Sequence, residues 1–281
     1  MRLLLIALLI PVAGIYAQKI EEKKIKTHVT VLAADDMEGR FSGSEGERKA
    51  IAYIEKEFKA LKLTPKGEQN FQQAFPFKAG VHGTGDEGKA HNAIAYLDNN
   101  ADKTIIIGAH YDHLGFGENG SSLDANPKGK IHNGADDNAS GVAGVLELAR
   151  YFSQNKVKEK SNFLFICFSG EELGLYGSKY FTEHPTIDMS KVSYMINMDI
   201  IGSQDGPGGE IADRQIRVYS EGPNESSSRQ LARMLELVNF QYMPTMQVVV
   251  AGEVDRAGRY GDHMSFSEAG IPAVRLIEMQ E

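Results

Sequence analysis

The sequence predicts an α/β protein with three layers, α/β/α, built around a mixed, mostly parallel central sheet. Three observations lead there. Apolar runs at 104–109, 162–168 and 193–198 alternate with helical patterns at about 140–154 and 174–182. That rhythm is the signature of a largely parallel sheet covered on both faces. The runs Ala93 to Leu97 and Thr104 to Ala109 are separated by Asp98-Asn99-Asn100, a turn signal that predicts an antiparallel pair at that point. Finally, the 281 residues contain no linker between two cores and no internal repeat, so one domain carries the pattern.

The elements follow in order. Met1-Arg2 gives a short positive start, Leu3 to Ile15 an apolar run, and Ala17 a small residue at a plausible cleavage site. Residues 1–17 therefore read as a secretory signal peptide. An uncleaved anchor is the alternative, disfavoured because the run is short for a bilayer span. Residues 18–281 form the single domain. Its charged start at 19–26 predicts the beginning of a surface helix. Ser44-Glu45-Gly46-Glu47 is a capping-box pattern ahead of a helical face of Ile51, Ile54, Phe58 and Leu61. Thr64-Pro65-Lys66-Gly67 stops that helix. Between Gly115 and Asn133 the chain is rich in Gly, Asn and Asp, as a long surface loop would be. Leu231, Met234, Leu235 and Val238 mark a further amphipathic helix, and Gln247 to Ala251 and Ala273 to Ile277 read as later strands.

Composition narrows the function. Hydrophobic residues make up 42% and charged residues 24%, so the chain is globular. With 30 Lys and Arg against 38 Asp and Glu, the net charge is −8. An acidic chain without a basic tract is a poor binder of nucleic acid. A single cysteine excludes an intramolecular disulfide framework, and Cys167 sits in the apolar run Phe163 to Phe168, where it is expected to be buried. After signal cleavage no stable membrane insertion is expected, which places the mature protein outside the cell or in the periplasm. Oligomeric state is left open.

Candidate metal ligands stand just beyond several strand runs. His110-Tyr-Asp112 follows Ile105 to Ile107, Glu171-Glu172 follows Phe163 to Phe168, and Asp199 follows Tyr194 to Met198. In open parallel sheets, ligands bind beyond the carboxyl ends of the strands. Gly134-Ala-Asp-Asp-Asn-Ala-Ser-Gly141 before a helix and Gly261-Asp-His263 in a glycine-rich stretch complete the set. Two histidines and three carboxylates suit a pair of divalent cations, with one carboxylate shared between them. Such a pair can hold a hydroxide and stabilise the oxyanion formed when it attacks a carbonyl. A carboxylate that does not bind metal can take the water proton and return it to a leaving amine. Glu171-Glu172 offers both roles side by side.

These pieces resemble the zinc-dependent exopeptidase family of bacterial aminopeptidases, glutamate carboxypeptidase and glutaminyl cyclase. The resemblance is carried by Gly108-Ala-His-Tyr-Asp-His-Leu-Gly115, Asn133 to Gly141, Ser169-Gly-Glu-Glu-Leu-Gly174, Asn197-Met-Asp199 and Gly261-Asp-His263, in family order. Leu32-Ala-Ala-Asp-Asp-Met-Glu-Gly-Arg40 is similar to the lead-in of the bacterial aminopeptidase branch. The resemblance implies two zinc ions. Asp137 would bridge them, His110 and Asp199 would hold one, and Glu172 and His263 the other. Glu171 would be the general base and acid, and Asp112 would orient the His110 imidazole. It also implies a cis peptide between Asp137 and Asn138. Relatives continue past the last strand into a pocket loop and a closing helix. Because this sequence stops at Ile277-Glu-Met-Gln-Glu281, the domain is expected to lack that helix, either as a minimal version of the fold or, the preferred reading, as a truncated form of a longer protein.

The expected activity is removal of N-terminal residues from peptides with a free N-terminus. A carboxypeptidase would need guanidinium groups for a terminal carboxylate, and Arg256 and Arg259 keep that option. A glutaminyl cyclase-like acyl transferase would use tryptophans, of which the chain has none. A non-catalytic binding domain would not need all five ligand positions. Tyr260 is a candidate oxyanion donor. His113 and His132 flank the site in supporting or loop roles, while His28, His82, His91 and His184 read as surface residues.

Overall fold

The computed structural model describes residues 19–79, 85–117, 120, 122–203, 212, 214–251 and 261–279. The leader expected at 1–17, His82, Arg256, Arg259 and Tyr260 lie outside the described residues. Helices α1 (Glu22–Leu32) and α2 (Glu45–Ala60) open the chain, followed by strands β1 (Thr64–Pro65), β2 (Gln72–Lys78), β3 (Glu87–Leu97) and β4 (Thr104–His110). Next come α3 (Gly141–Gln154), β5 (Asn162–Phe168), α4 (Tyr176–Glu183), β6 (Val192–Met198) and β7 (Gln215–Ser220). The described chain closes with α5 (Ser227–Tyr242), β8 (Gln247–Val250), α6 (His263–Glu268) and β9 (Ala273–Ile277). Among the described residues, no helix is long and apolar enough to cross a membrane.

The nine strands form one sheet in the order β1-β3-β5-β4-β6-β9-β7-β8, with β2 also paired to β3. The central strands β5, β4, β6 and β9 run parallel to one another. β3 and β7 meet them antiparallel, and β8 follows β7. The sheet is thus mixed with a parallel centre, as the sequence predicts. Strand β5 shows why that centre is closed on both sides. Phe163, Phe165 and Cys167 pack with Ile54, Phe58, Val142 and Val145 of α2 and α3. Their neighbours Leu164, Ile166 and Phe168 pack with Phe181 of α4 and Phe266 of α6. A strand with no polar face has to lie between two layers of helix. Helix α5 rests Leu231 and Ala232 on Val218 and Val274 over the β7–β9 side.

Two expectations are corrected. β3 and β4 do not form a hairpin, because β5 lies between them and pairs with both. The Asp98-to-Lys103 connection instead passes over the start of β5, where the Asn162 side chain accepts from the Asn99 and Ala101 amides and donates to the Ala101 carbonyl. The turn signal was real, but the continuous apolar run of β5 takes the more buried position. The second correction is His28, which is buried on α1 with Nδ1 2.7 Å from the Tyr53 hydroxyl. The capping box at α2 forms in altered shape. Ser44 Oγ accepts from the Glu47 amide, whereas Glu47 reaches back to the Gly43 amide and across to that of His91.

Candidate metal centre

Because β4, β5 and β6 are parallel, their carboxyl ends share one edge of the sheet, and the chemistry collects there. His110 is the last residue of β4 and is buried. Its Nε2 lies 3.2 Å from Asp137 Oδ1 and 3.2 Å from Asp199 Oδ1. Its Nδ1 faces the Asp112 carbonyl at 3.2 Å. A neutral imidazole that gives its Nδ1 proton to that carbonyl turns a lone pair toward two carboxylate oxygens. Three acceptors converging on one point need a cation or a shared proton among them. The His110 pKa points the same way. Burial opposes the charged ring, yet Glu171 and Asp199, with hydrogen bonds to the Asp112 and Asp137 carboxylates, raise its pKa well above the ordinary value.

Asp137 is held by an unusual turn ahead of α3. The Asp137-Asn138 peptide is cis, and both residues leave helical geometry. Asn138 ties the turn to the end of β6, donating to the Met198 carbonyl and accepting from the Gly141 amide. Gly141 is needed there, since a Cβ would stand 2.4 Å from the Met198 carbonyl oxygen. Burial works against the Asp137 carboxylate, but His110 and His113 lower its pKa overall.

A second group forms on the other side of Asp137. His113 Nδ1 lies 2.8 Å from Glu172 Oε1 and 4.0 Å from Asp137 Oδ2. The described residues thus offer two sets of potential ligands, His110, Asp137 and Asp199, and His113, Asp137 and Glu172, with Asp137 common to both. Imidazole nitrogens with carboxylate oxygens are a donor set that zinc accepts. Burial and the neighbouring Asp137 raise the Glu172 pKa despite His113. Like charges brought close together disfavour ionisation of one another in this way.

Asp112 is fully buried, and its carboxylate accepts from Ser42 Oγ and from the Glu171 and Glu172 amides. It therefore fixes the acidic loop as well as facing His110. Glu171 belongs to neither ligand group. Burial raises its pKa well above the ordinary range, with Asp199, Glu172 and Asp262 adding to the effect and His110 opposing it.

His263 stands apart from both groups. It is buried at the start of α6, and its Nδ1 has no hydrogen-bond partner among the described residues. Burial first, then Arg275, pushes its pKa down to about 3. Arg275 on β9 places Nε 3.0 Å from Asp199 Oδ2, holding that carboxylate from the side away from His110. Beside Glu172, where the resemblance puts His263, the described residues show His113. The sequence signal for it was the second histidine of His110-Tyr-Asp-His113, three residues past the strand end. Arg275 gave no signal, because it lies within an ordinary apolar strand pattern.

Residues 92–281 match the family model for Peptidase family M28. The chain belongs to peptidase family M28. M28 is a family of zinc metallopeptidases, in keeping with the donor set above. A probable zinc metalloprotease of Pyrenophora tritici-repentis is 35% identical over 168 residues, covering 53% of this M28 chain and 34% of the fungal protein. The chain thus matches about a third of that relative's length. A leucine aminopeptidase precursor from Bacteroides thetaiotaomicron superposes with a TM-score of 0.69 at 18% identity, over 93% of this chain and 86% of the other. A glutaminyl cyclase from the same organism gives 0.68 at 18% identity, over 93% and 85%. At such identities the likeness is one of fold.

Proposed function

We propose that this M28 chain is an exported aminopeptidase that removes N-terminal residues from peptides. The observation that carries the reading is the pair of ligand groups sharing Asp137, with Glu171 electrostatically joined to His110 yet outside both groups. His110, Asp137 and Asp199 would hold one zinc ion, and His113, Asp137 and Glu172 the other. When bound, zinc would supply Lewis acidity toward water and the scissile carbonyl. Glu171 then receives the proton that the attacking water gives up and passes it to the nitrogen of the leaving amine. Asp112 keeps the His110 ring in one tautomer and holds the Glu171 and Glu172 amides, so base and ligand share one support. The acidic surroundings favour a substrate with a free ammonium. The signal pattern at 1–17 supports export. The lack of tryptophan weighs against a cyclase.

The test joins zinc content to cleavage of aminoacyl-p-nitroanilides, N-acetylated peptides and peptides with N-terminal glutamine. Two zinc ions per chain and cleavage of unblocked substrates only are expected. Preference for blocked substrates, or cyclisation of the glutaminyl peptide without hydrolysis, would overturn the aminopeptidase reading. Glu171→Ala is expected to keep its zinc while losing nearly all turnover, about 10²-fold or more. Normal turnover by that variant would sink the assigned base.

A further inference from the structure

Arg40 lies 52 residues ahead of the family match and is one of the largest fully buried side chains in the molecule. A buried guanidinium is ordinarily paired with a carboxylate. This one spends its donors on backbone carbonyls instead. Nε donates to Tyr111 at 2.7 Å, Nη1 to Asn133 at 2.7 Å and also to Leu32, and Nη2 to Gly134 at 2.9 Å. Tyr111 is the residue between His110 and Asp112, and Asn133-Gly134 is the lead-in to the Asp137 turn. One planar group therefore spans the segment that carries His110 and His113, one in each group, and the turn that carries Asp137, common to both.

The backbone adds a second grip. The Arg40 carbonyl accepts from the His113 amide at 3.3 Å, and the Gly39 carbonyl from that of Gly115 at 3.0 Å. His110 to His113 is thus bracketed between the guanidinium and the main chain of the same residue. Reaching that position bends Glu38, Gly39 and Arg40 into the left-handed region, with φ of 53°, 65° and 51°. At Gly39 a Cβ would lie 2.6 Å from the Gly115 and His132 carbonyl oxygens, so only glycine fits. Nearby, the Asn133 side chain donates to the Ala33 carbonyl and to Asp35. Segment 32–40 is built onto the loops that carry the candidate metal ligands.

We infer that Arg40 is a positioning residue that sets the spacing between the His110–His113 segment and the Asp137 turn, and through it the affinity for zinc. The inference rests on the metal-binding reading above. The rigid fork is the essential feature. A lysine keeps the charge but cannot reach Tyr111, Asn133 and Gly134 at once.

The test compares Arg40→Lys and Arg40→Gln with the parent protein, using zinc alone against a competing chelator. Folding is followed by circular dichroism. Both variants are expected to fold and to bind zinc about 10–100-fold more weakly. Turnover is expected to fall in kcat with KM within about two-fold, since the substrate contacts are untouched. Parental zinc affinity in either folded variant overturns the inference, and for lysine it would show that charge alone suffices. If neither variant folds, Arg40 is structural and the inference fails. If only one folds, its zinc affinity decides. A parent protein that binds no zinc defeats the proposed function itself, which separates the two failures.

Discussion

At the scale of single residues, two histidines contend for one place beside Glu172. His113 is already 2.8 Å from that carboxylate, whereas His263 is buried at the start of α6 with no partner for its Nδ1 among the described residues. His113→Ala is expected to lower the zinc content from two ions to one, and His263→Ala to leave two. Metal analysis of the two purified variants decides it, and the reverse pattern would hand the ligand role to His263. The contest also marks the limit of motif reading. His110, Asp137, Glu172 and Asp199 are legible because each follows a strand end or opens a helix, where local sequence fixes direction. Which histidine meets Glu172 depends on how α6 and the loop after β4 pack, and no spacing rule contains that. Arg40 was visible only as part of a similar lead-in, since its partners are main-chain carbonyls that any sequence would provide.

At the scale of elements, α1 is docked by a titratable contact. His28 on α1 meets the Tyr53 hydroxyl of α2, and burial raises the Tyr53 pKa to about 12, so the phenol keeps its proton. Burial also lowers the His28 pKa, with Glu57 and Glu147 opposing and Lys24 and Arg150 assisting. A histidine whose folded pKa is depressed binds fewer protons in the native state. Its contribution is present above the unfolded value near 6.5 and is lost as pH falls below it. Amide exchange in Glu22–Leu32 should therefore accelerate between about pH 7 and pH 5 beyond its intrinsic chemistry. His28→Gln should flatten that dependence, and an unchanged profile would remove the contact from the account. The missed elements have their own reasons. β2 buries Gln73, Phe75 and Phe77 on one face and exposes Pro76 on the other, the mark of an edge strand that carries no continuous apolar signal. The hairpin expectation failed because a turn motif fixes a reversal of direction and not which strand fills the neighbouring place.

At the scale of the whole molecule, the layers were legible because hydrophobic period alone separates a doubly covered sheet from other folds. The strand order was not, since it is set by competition among strands far apart in sequence. The same scale governs the stability of the metal edge. Asp112, Asp137, Glu172 and Asp199 collect at one end of the sheet, so ions bound there hold together loops from across the chain. Zinc at about a thousand times its dissociation constant contributes about 4 kcal/mol per site. Dialysis against a chelator should lower the melting temperature by roughly 10 °C, with recovery on adding zinc back. A melt indifferent to chelation would separate the site from the fold. The position of β5 between β3 and β4 has a consequence for synthesis as well. On the ribosome β4 emerges first, and both of its neighbours, β5 and β6, are still to be made. Translation at about 5–20 residues per second leaves Ile105, Ile106 and Ile107 without a strand partner for about 3–10 s. In that interval the nascent chain is open to chaperones.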